Sequence, residues 1–256
     1  MRIGVSCTSF CTESPVKILD AVSRNFNHWE IFSEVDHAVQ YLSSEFMENY
    51  ERARSKMTFS LHTSIANTDI AALNPRMREA TVSELVSEME CASKMGIDTL
   101  TVHPGLICLS VPGCRDRSVA AANLSCRALE KAAHEYGLKH VCIENMPNVP
   151  VMLGGTADEL STIVDGTDLG ITFDIGHANT MSQIDRMVEV FGDRIQHIHI
   201  HDNLGDRDAH LTIGEGSIDF RHVLSLIPNY KGLFIIESKS MESAVESQKR
   251  LRAMFD

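Results

Sequence analysis

Short apolar runs rich in β-formers recur along the whole chain, and between them apolar residues repeat at the helical period. This alternation predicts consecutive βα units around a parallel sheet, and hence an α/β fold. Eight such runs are predicted as strands: Ile3–Ser6, Trp29–Phe32, Thr58–His62, Thr99–His103, His140–Glu144, Gly170–Asp174, His197–His201 and Leu233–Glu237.

The segments between the predicted strands carry helix-boundary signals. A helix is predicted over Pro75–Met95, because Asn74 is suited to cap its first turn and Gly96 is suited to end it. Further helices are predicted over Arg117–Tyr136 and Met241–Met254. An eightfold alternation without a linker favours a closed (β/α)8 TIM barrel, with a doubly wound sheet as the alternative.

Composition agrees with one globular domain spanning residues 1–256. Apolar residues make up 43% of the chain and charged residues 23%, which are ordinary values for a compact fold. The sequence shows no secretory signal and no apolar run long enough for a membrane. Its seven cysteines lack CxxC spacing and suit reduced thiols. We therefore expect a cytoplasmic protein, and homo-oligomer formation is left open.

Side chains that can bind metal stand at the ends of six predicted strands. They are His62, His103, Glu144, Asp174 with the nearby His177, His199 and Glu237, and Asp208 and His210 follow in a loop. The carboxyl ends of barrel strands converge on one mouth, so residues distant in sequence meet there. One strand-end histidine is more often a hydrogen-bonded structural residue. Six together predict a divalent-metal site, since imidazole and carboxylate suit Zn²⁺, Mn²⁺ or Co²⁺.

The motifs HTSIANTDI, TVHPG, IENMP, FDIGHAN, HIHIHDN and HLTIGEGSIDF resemble, in their order and spacing, the xylose-isomerase-like barrel superfamily. The resemblance runs over nearly the whole chain. This superfamily holds sugar phosphate isomerases and epimerases, and also the AP endonucleases of the endonuclease IV type. For the isomerase branch, the resemblance implies one catalytic metal bound by Glu144, Asp174, His199 and Glu237.

For the endonuclease branch, the resemblance implies three zinc ions. The additional ligands would be His62, His103, His177, Asp208 and His210. The HIHIHDN segment alone does not select a ligand, because His197, His199 and His201 share one face of the strand. The resemblance favours His199, and it leaves His201 and Asp202 as groups that orient this ligand or contact substrate.

Two features near the loop histidines suggest anion binding. Arg207 could contact an anionic substrate group, although an arginine in such a loop is more often a solvated surface charge. Gly214 and Gly216 could bring their backbone close to a phosphate, or could only form a turn before a helix that begins near Asp219.

Charge and loop composition separate the two branches. A formal net charge of −12 opposes binding to nucleic acid, and the loop after His62 lacks an evident wedge for a DNA groove. We therefore expect a metal-dependent isomerase or epimerase acting on a small sugar or sugar phosphate. Glu144 and Glu237 would transfer protons through a metal-stabilised enediolate, and His177 would contact the substrate. A trinuclear zinc phosphoesterase is the main alternative, and a non-catalytic metal-binding barrel is a third.

Overall fold

Eight parallel strands pair in sequence order, and β8 pairs with β1 to close a barrel. The computed structural model describes residues 1–107, 109 and 111–255. The strands are β1 Arg2–Ser6, β2 His28–Phe32, β3 Thr58–His62, β4 Thr99–Val102, β5 His140–Glu144, β6 Gly170–Asp174, β7 Ile195–Ile200 and β8 Leu233–Glu237. The structure confirms the predicted (β/α)8 barrel and excludes the doubly wound sheet.

Helices connect the strands on the outside of the barrel. They are α1 Pro15–Asn25, α2 Ser44–Ala53, α3 Pro75–Met95, α4 Cys114–Tyr136, α5 Ala157–Ile163, α6 Ile175–Thr180, α7 Ile184–Phe191, α8 Phe220–Leu226 and α9 Met241–Phe255. As predicted, Asn74 caps α3 and Gly96 ends it at a φ of 75°. Helix α4 begins three residues earlier than predicted, after Gly113 at a φ of 70°. Within the described ranges, no helix is both long and apolar enough to cross a membrane.

The apolar core lies between the barrel and its helices, not along the barrel axis. Outward-facing strand residues such as Ile31, Ile143 and Ile198 are fully buried and belong to this core. Alternate residues of the same strands point towards the axis. Barrel interiors are usually filled by Val, Ile and Leu. In this barrel the buried inward positions include Glu30, Ser60, Thr101, Thr172 and His197.

A β-bulge between β6 and β7 sets the alignment of two site residues. Ile171 pairs with Ile195, but the register then shifts by one residue, so that Asp174 pairs with His199. The extra residue is Gln196, and an unbroken register would instead place Asp174 beside an outward-facing isoleucine. Because side chains alternate between the two faces of a strand, this single insertion decides which β7 side chains accompany Asp174.

Candidate metal centre

Four side chains from neighbouring strands β5 to β8 meet at the barrel mouth around Nδ1 of His199. This atom lies 2.8 Å from Glu144 Oε1, 3.1 Å from Glu237 Oε1 and 3.9 Å from Asp174 Oδ2. Glu144, Asp174 and His199 are each at most 1% exposed. We call these four residues the central group. Three carboxylates with one imidazole are a ligand set suited to a divalent cation.

Two buried oxygens of the central group have no hydrogen-bond donor in the part of the chain that the structure describes. Neither Glu144 Oε2 nor Asp174 Oδ2 has a partner with hydrogen-bond geometry among the described residues. Leaving such an atom buried and unpaired costs about 1–3 kcal/mol, and more when it is charged. A bound cation would offset this cost, so the buried oxygens fit a metal centre.

Two histidines approach Glu144 from strand β3 and from the end of β4. His103 Nε2 lies 3.0 Å and His62 Nε2 lies 3.5 Å from Glu144 Oε2. His62 is oriented by a 2.9 Å contact between its Nδ1 and the carbonyl oxygen of Thr63, which leaves Nε2 facing the carboxylate. His62, His103 and Glu144 therefore form a second set of potential ligands that shares Glu144 with the central group.

A third set of potential ligands surrounds Asp208, and we call it the loop group. It comprises His177, His201, Asp208 and His210, each offering one ligand atom within 4.8 Å of the others. The carboxylate of Asp208 lies 3.0 Å from His210 Nε2, 3.3 Å from His201 Nε2 and 3.4 Å from His177 Nε2. His210 has a φ of 43°, which costs a non-glycine residue about 1–3 kcal/mol and is typical of functional sites.

Local structure at the end of β6 fixes the side chains of Asp174, in the central group, and His177, in the loop group. Asp174 caps helix α6, and its Oδ1 accepts the backbone N–H of His177 at 2.6 Å. Its Oδ2 consequently remains directed at the central group. The side chain of Asn145 pairs with both backbone groups of Asp174, at 2.8 and 2.9 Å, and locks the ends of β5 and β6 together. Nδ1 of His177 contacts the Asn145 carbonyl oxygen at 2.9 Å, so Nε2 faces Asp208.

The charges at the mouth are strongly coupled. Burial opposes ionisation of Glu144, but the nearby His199 and His103 outweigh it and hold the pKa of Glu144 well below its usual range. Burial also opposes protonation of His199, but Glu237, Glu30 and Glu144 raise its pKa well above the usual range. The site therefore attracts positive charge, whether that charge is a proton or a metal ion.

Asp202, a predicted substrate contact, is placed differently from expectation. Both oxygens of Asp202 accept backbone N–H groups, from Asn203 and Ile218 on Oδ1 and from Gly214 and Gly216 on Oδ2. Asp202 thus anchors this loop and has no free oxygen for substrate or for His199. The same bonds occupy the N–H groups of both glycines, so of the two alternatives for this segment the structure favours the turn.

Arg207 and His201 lie in different environments in the structure. Arg207 is exposed and is not among the described residues that line the mouth cavity, as expected of a solvated surface charge, and its anion contact stays a prediction. His201 is fully buried and stacks on His210 with ring centroids 4.0 Å apart. It was predicted to orient His199 or to contact substrate, which stays a prediction, and the structure places it in the loop group.

Sequence reasoning missed Glu30, in the middle of β2. Glu30 is fully buried, and its Oε1 lies 2.8 Å from His199 Nε2. The available signal was a charged residue inside the run HWEIF, because strands of a parallel sheet are usually continuously apolar. Glu30 lies in the middle of its strand, whereas the predicted site residues stand at or after strand ends.

A cavity of about 290 Å³ opens above the central group. Glu237 faces it with 13% of its side chain exposed. The wall near β2 to β5 is apolar, and Lys239 contributes a cation beside β8. The apolar wall consists of Phe32, Ile65, Met146, Pro147 and Met152. The cavity can therefore admit a small polar molecule to the carboxylates.

Comparison with known proteins places this architecture in a family. Residues 19–254 match the model of the xylose isomerase-like TIM barrel. An uncharacterized protein of Methanocaldococcus jannaschii is 35% identical over all of this chain and 90% of its own length. A probable endonuclease 4 of Methanoculleus marisnigri is 32% identical, over 60% of this chain and 61% of its own. The crystal structure of a D-tagatose 3-epimerase-like protein has a TM-score of 0.89 and 33% identity, and the alignment covers 99% of this chain and 96% of that one. The chain belongs to the xylose isomerase-like TIM barrel family.

Proposed function

We propose that this protein is a divalent-metal-dependent isomerase or epimerase of a sugar or sugar phosphate. The observation that carries the proposal is the placement of Glu144 and Glu237 against the same imidazole nitrogen, 2.8 and 3.1 Å from His199 Nδ1. These glutamates come from β5 and β8, which are not neighbours in the barrel. The likeness to a D-tagatose 3-epimerase-like protein over 99% of the chain supports the same class.

The two glutamates can serve as a base and an acid on opposite sides of a substrate. One carboxylate removes a proton from the carbon next to the substrate carbonyl, and the other returns a proton to the same or the neighbouring carbon. An ion held by Glu144, Asp174, His199 and Glu237 would supply Lewis acidity to the carbonyl and the adjacent hydroxyl. His177, oriented by the Asn145 carbonyl, would hydrogen-bond the substrate.

The proposal first requires metal binding. Protein purified without added metal should hold about one to three divalent ions per chain. Affinity should fall as pH falls, because the raised pKa values of His199 and His177 make protons effective competitors. Elemental analysis and thermal unfolding with Zn²⁺, Mn²⁺ or Co²⁺ measure this. A chain that holds no ion, and that none of the three stabilises, would contradict the proposal.

One structural feature favours a second candidate function, a metal-dependent phosphoesterase. The loop group could hold an ion dedicated to a phosphate oxygen. The expectation that the loop after His62 lacks an evident wedge also needs correction. Tyr41 is 76% exposed after β2, Ile65 is 37% exposed after β3 and Leu106 is 41% exposed after β4. These loops leave the strands at the same end of the barrel as the metal centre, so net charge remains the main argument against DNA.

We expect the metal-loaded protein to convert a ketose or ketose phosphate and to leave abasic duplex DNA largely intact at moderate salt. The net charge of −12 weakens phosphate-backbone binding, and added salt weakens it further. Isomerisation is followed by NMR in D₂O, and incision is followed on a labelled duplex in the same buffer. Efficient incision by the parent protein that is abolished in His177→Ala would favour the phosphoesterase over the isomerase as the function.

A further inference from the structure

The inward face of the barrel below the central group is filled by a column of polar side chains that contact one another. Glu30 stands at its top and Thr58 at its bottom, near the opposite end of the barrel, and the members between them are buried. The members are Glu30, His197, Ser60, His28 and Thr58. None of them belongs to the ligand sets implied by the family resemblance.

The carboxylate of Glu30 contacts three polar side chains. Its Oε2 accepts from His197 Nε2 at 2.6 Å and from Ser60 Oγ at 2.7 Å. Its Oε1 lies 2.8 Å from His199 Nε2 in a bent contact, and neither atom has a hydrogen-bond partner elsewhere among the described residues. A fully buried glutamate side chain therefore lies in contact with a central-group residue.

The two nitrogens of His199 face different carboxylates. Nδ1 faces Glu144 and Glu237, whereas Nε2 faces Glu30. A metal-ligating histidine needs one nitrogen free of a proton and donates its other N–H to an acceptor. Glu30 is the acceptor within reach of Nε2, and it selects the tautomer that presents Nδ1 to the carboxylates.

The column members Ser60, His28 and Thr58 hold Glu30 in place. The Ser60 hydroxyl donates its only hydrogen to Glu30, so its oxygen must accept a hydrogen bond from His28 Nε2 at 2.9 Å. Burial lowers the pKa of His28 to about 3, so His28 is neutral and its Nδ1 accepts from Thr58 Oγ1 at 2.8 Å. Gly4 provides the necessary space, because a Cβ there would lie 2.6 Å from His28 Cδ2.

From this arrangement we infer that Glu30 is a positioning residue of the metal centre. It fixes the ring of His199 and raises the basicity of the ligating nitrogen, and the column beneath fixes Glu30. The inference rests on the metal centre of the proposed function but does not depend on the reaction catalysed.

The substitution Glu30→Gln tests the positioning role of Glu30. An amide has only one oxygen, so its NH₂ group must face either the N–H of His199 Nε2 or the two donors that now bond to Oε2. We expect Co²⁺ binding to weaken by about 10- to 100-fold, with a change in the visible absorption bands of the bound Co²⁺. Titration with Co²⁺ alone gives both readouts. Glu88→Gln is the matched control, because it neutralises another buried carboxyl, one bonded to Ser33 and Ser64. It should leave affinity and bands unchanged.

A folded Glu30→Gln protein with the affinity and absorption bands of the parent would overturn the inference. Ser60→Ala removes one donor and leaves the charge in place, and it decides the question if Glu30→Gln does not fold. Weaker Co²⁺ binding by Ser60→Ala supports the inference, and parental binding overturns it. Co²⁺ uptake by the parent is a separate outcome, since its failure would refute the metal centre of the proposed function itself.

Discussion

Glu144→Gln and Glu237→Gln should each reduce turnover by about 10²- to 10⁴-fold, the usual contribution of a positioned acid or base. An amide cannot accept the proton that the substrate carbon must lose. Both residues also face His199 Nδ1, so some metal affinity will be lost as well. Turnover must therefore be compared at saturating metal, with the metal content of each variant measured.

Deuterium exchange separates the loss of proton transfer from the loss of metal. In D₂O, a metal-loaded variant that has lost the base should no longer exchange the substrate proton, even if substrate still binds. Glu242→Gln, on the exposed surface of α9 shortly after β8, is the control and should match the parent. A metal-loaded Glu144→Gln or Glu237→Gln protein that both exchanges deuterium and turns over at nearly the parental rate would show that the residue is neither acid nor base.

Glu88→Gln should change the pH dependence of stability. Glu88 on α3 is 1% exposed, and burial raises its pKa to about 7 from an unfolded value near 4.5. A carboxyl whose pKa is raised on folding stabilises the protein below pH 4.5, and this contribution is lost as pH rises through 7. At 1.36 kcal/mol per pKa unit the loss is on the order of 3 kcal/mol by pH 8.

Urea unfolding of parent and Glu88→Gln at pH 5 and pH 8, both with chelator, measures this difference. The amide of the variant keeps an oxygen for the N–H of Ser64 but carries no charge at either pH. The variant should therefore be more stable relative to the parent at pH 8 than at pH 5. Parallel pH profiles for the two proteins would mean that Glu88 does not titrate as its burial implies.

The sequence predicted the barrel because most of its strands carry two signals, a short apolar run and a polar side chain where that run ends. Six of the eight observed strands end at the predicted residue and the other two end one residue earlier, since polar groups such as Glu144 and Asp174 interrupt apolar runs where strands end. Helix α4 was less accurately bounded. Gly113 starts it in a left-handed conformation, which the sequence pattern does not distinguish from a turn.

The candidate ligands could be picked out because they lie at or after strand ends, but their grouping could not. The bulge at Gln196 decides that Asp174 lies beside His199, and no periodicity reveals such a shift. The role of Asp202 depends on where the later loop folds back. Glu30 contacts His199 only because the barrel closes, which brings β2 and β7 within reach across its interior.

The location of the apolar core outside the barrel has a consequence for how this protein can diverge. In most strands the outward face packs on the helices and the inward face carries polar groups, so folding and chemistry are largely encoded at alternating positions of the same short segments. Changes on the inward face can alter the ion, the proton-transfer groups or the substrate while leaving the packing of strands on helices untouched. Descendants of such a chain can acquire new reactions without first acquiring new stability.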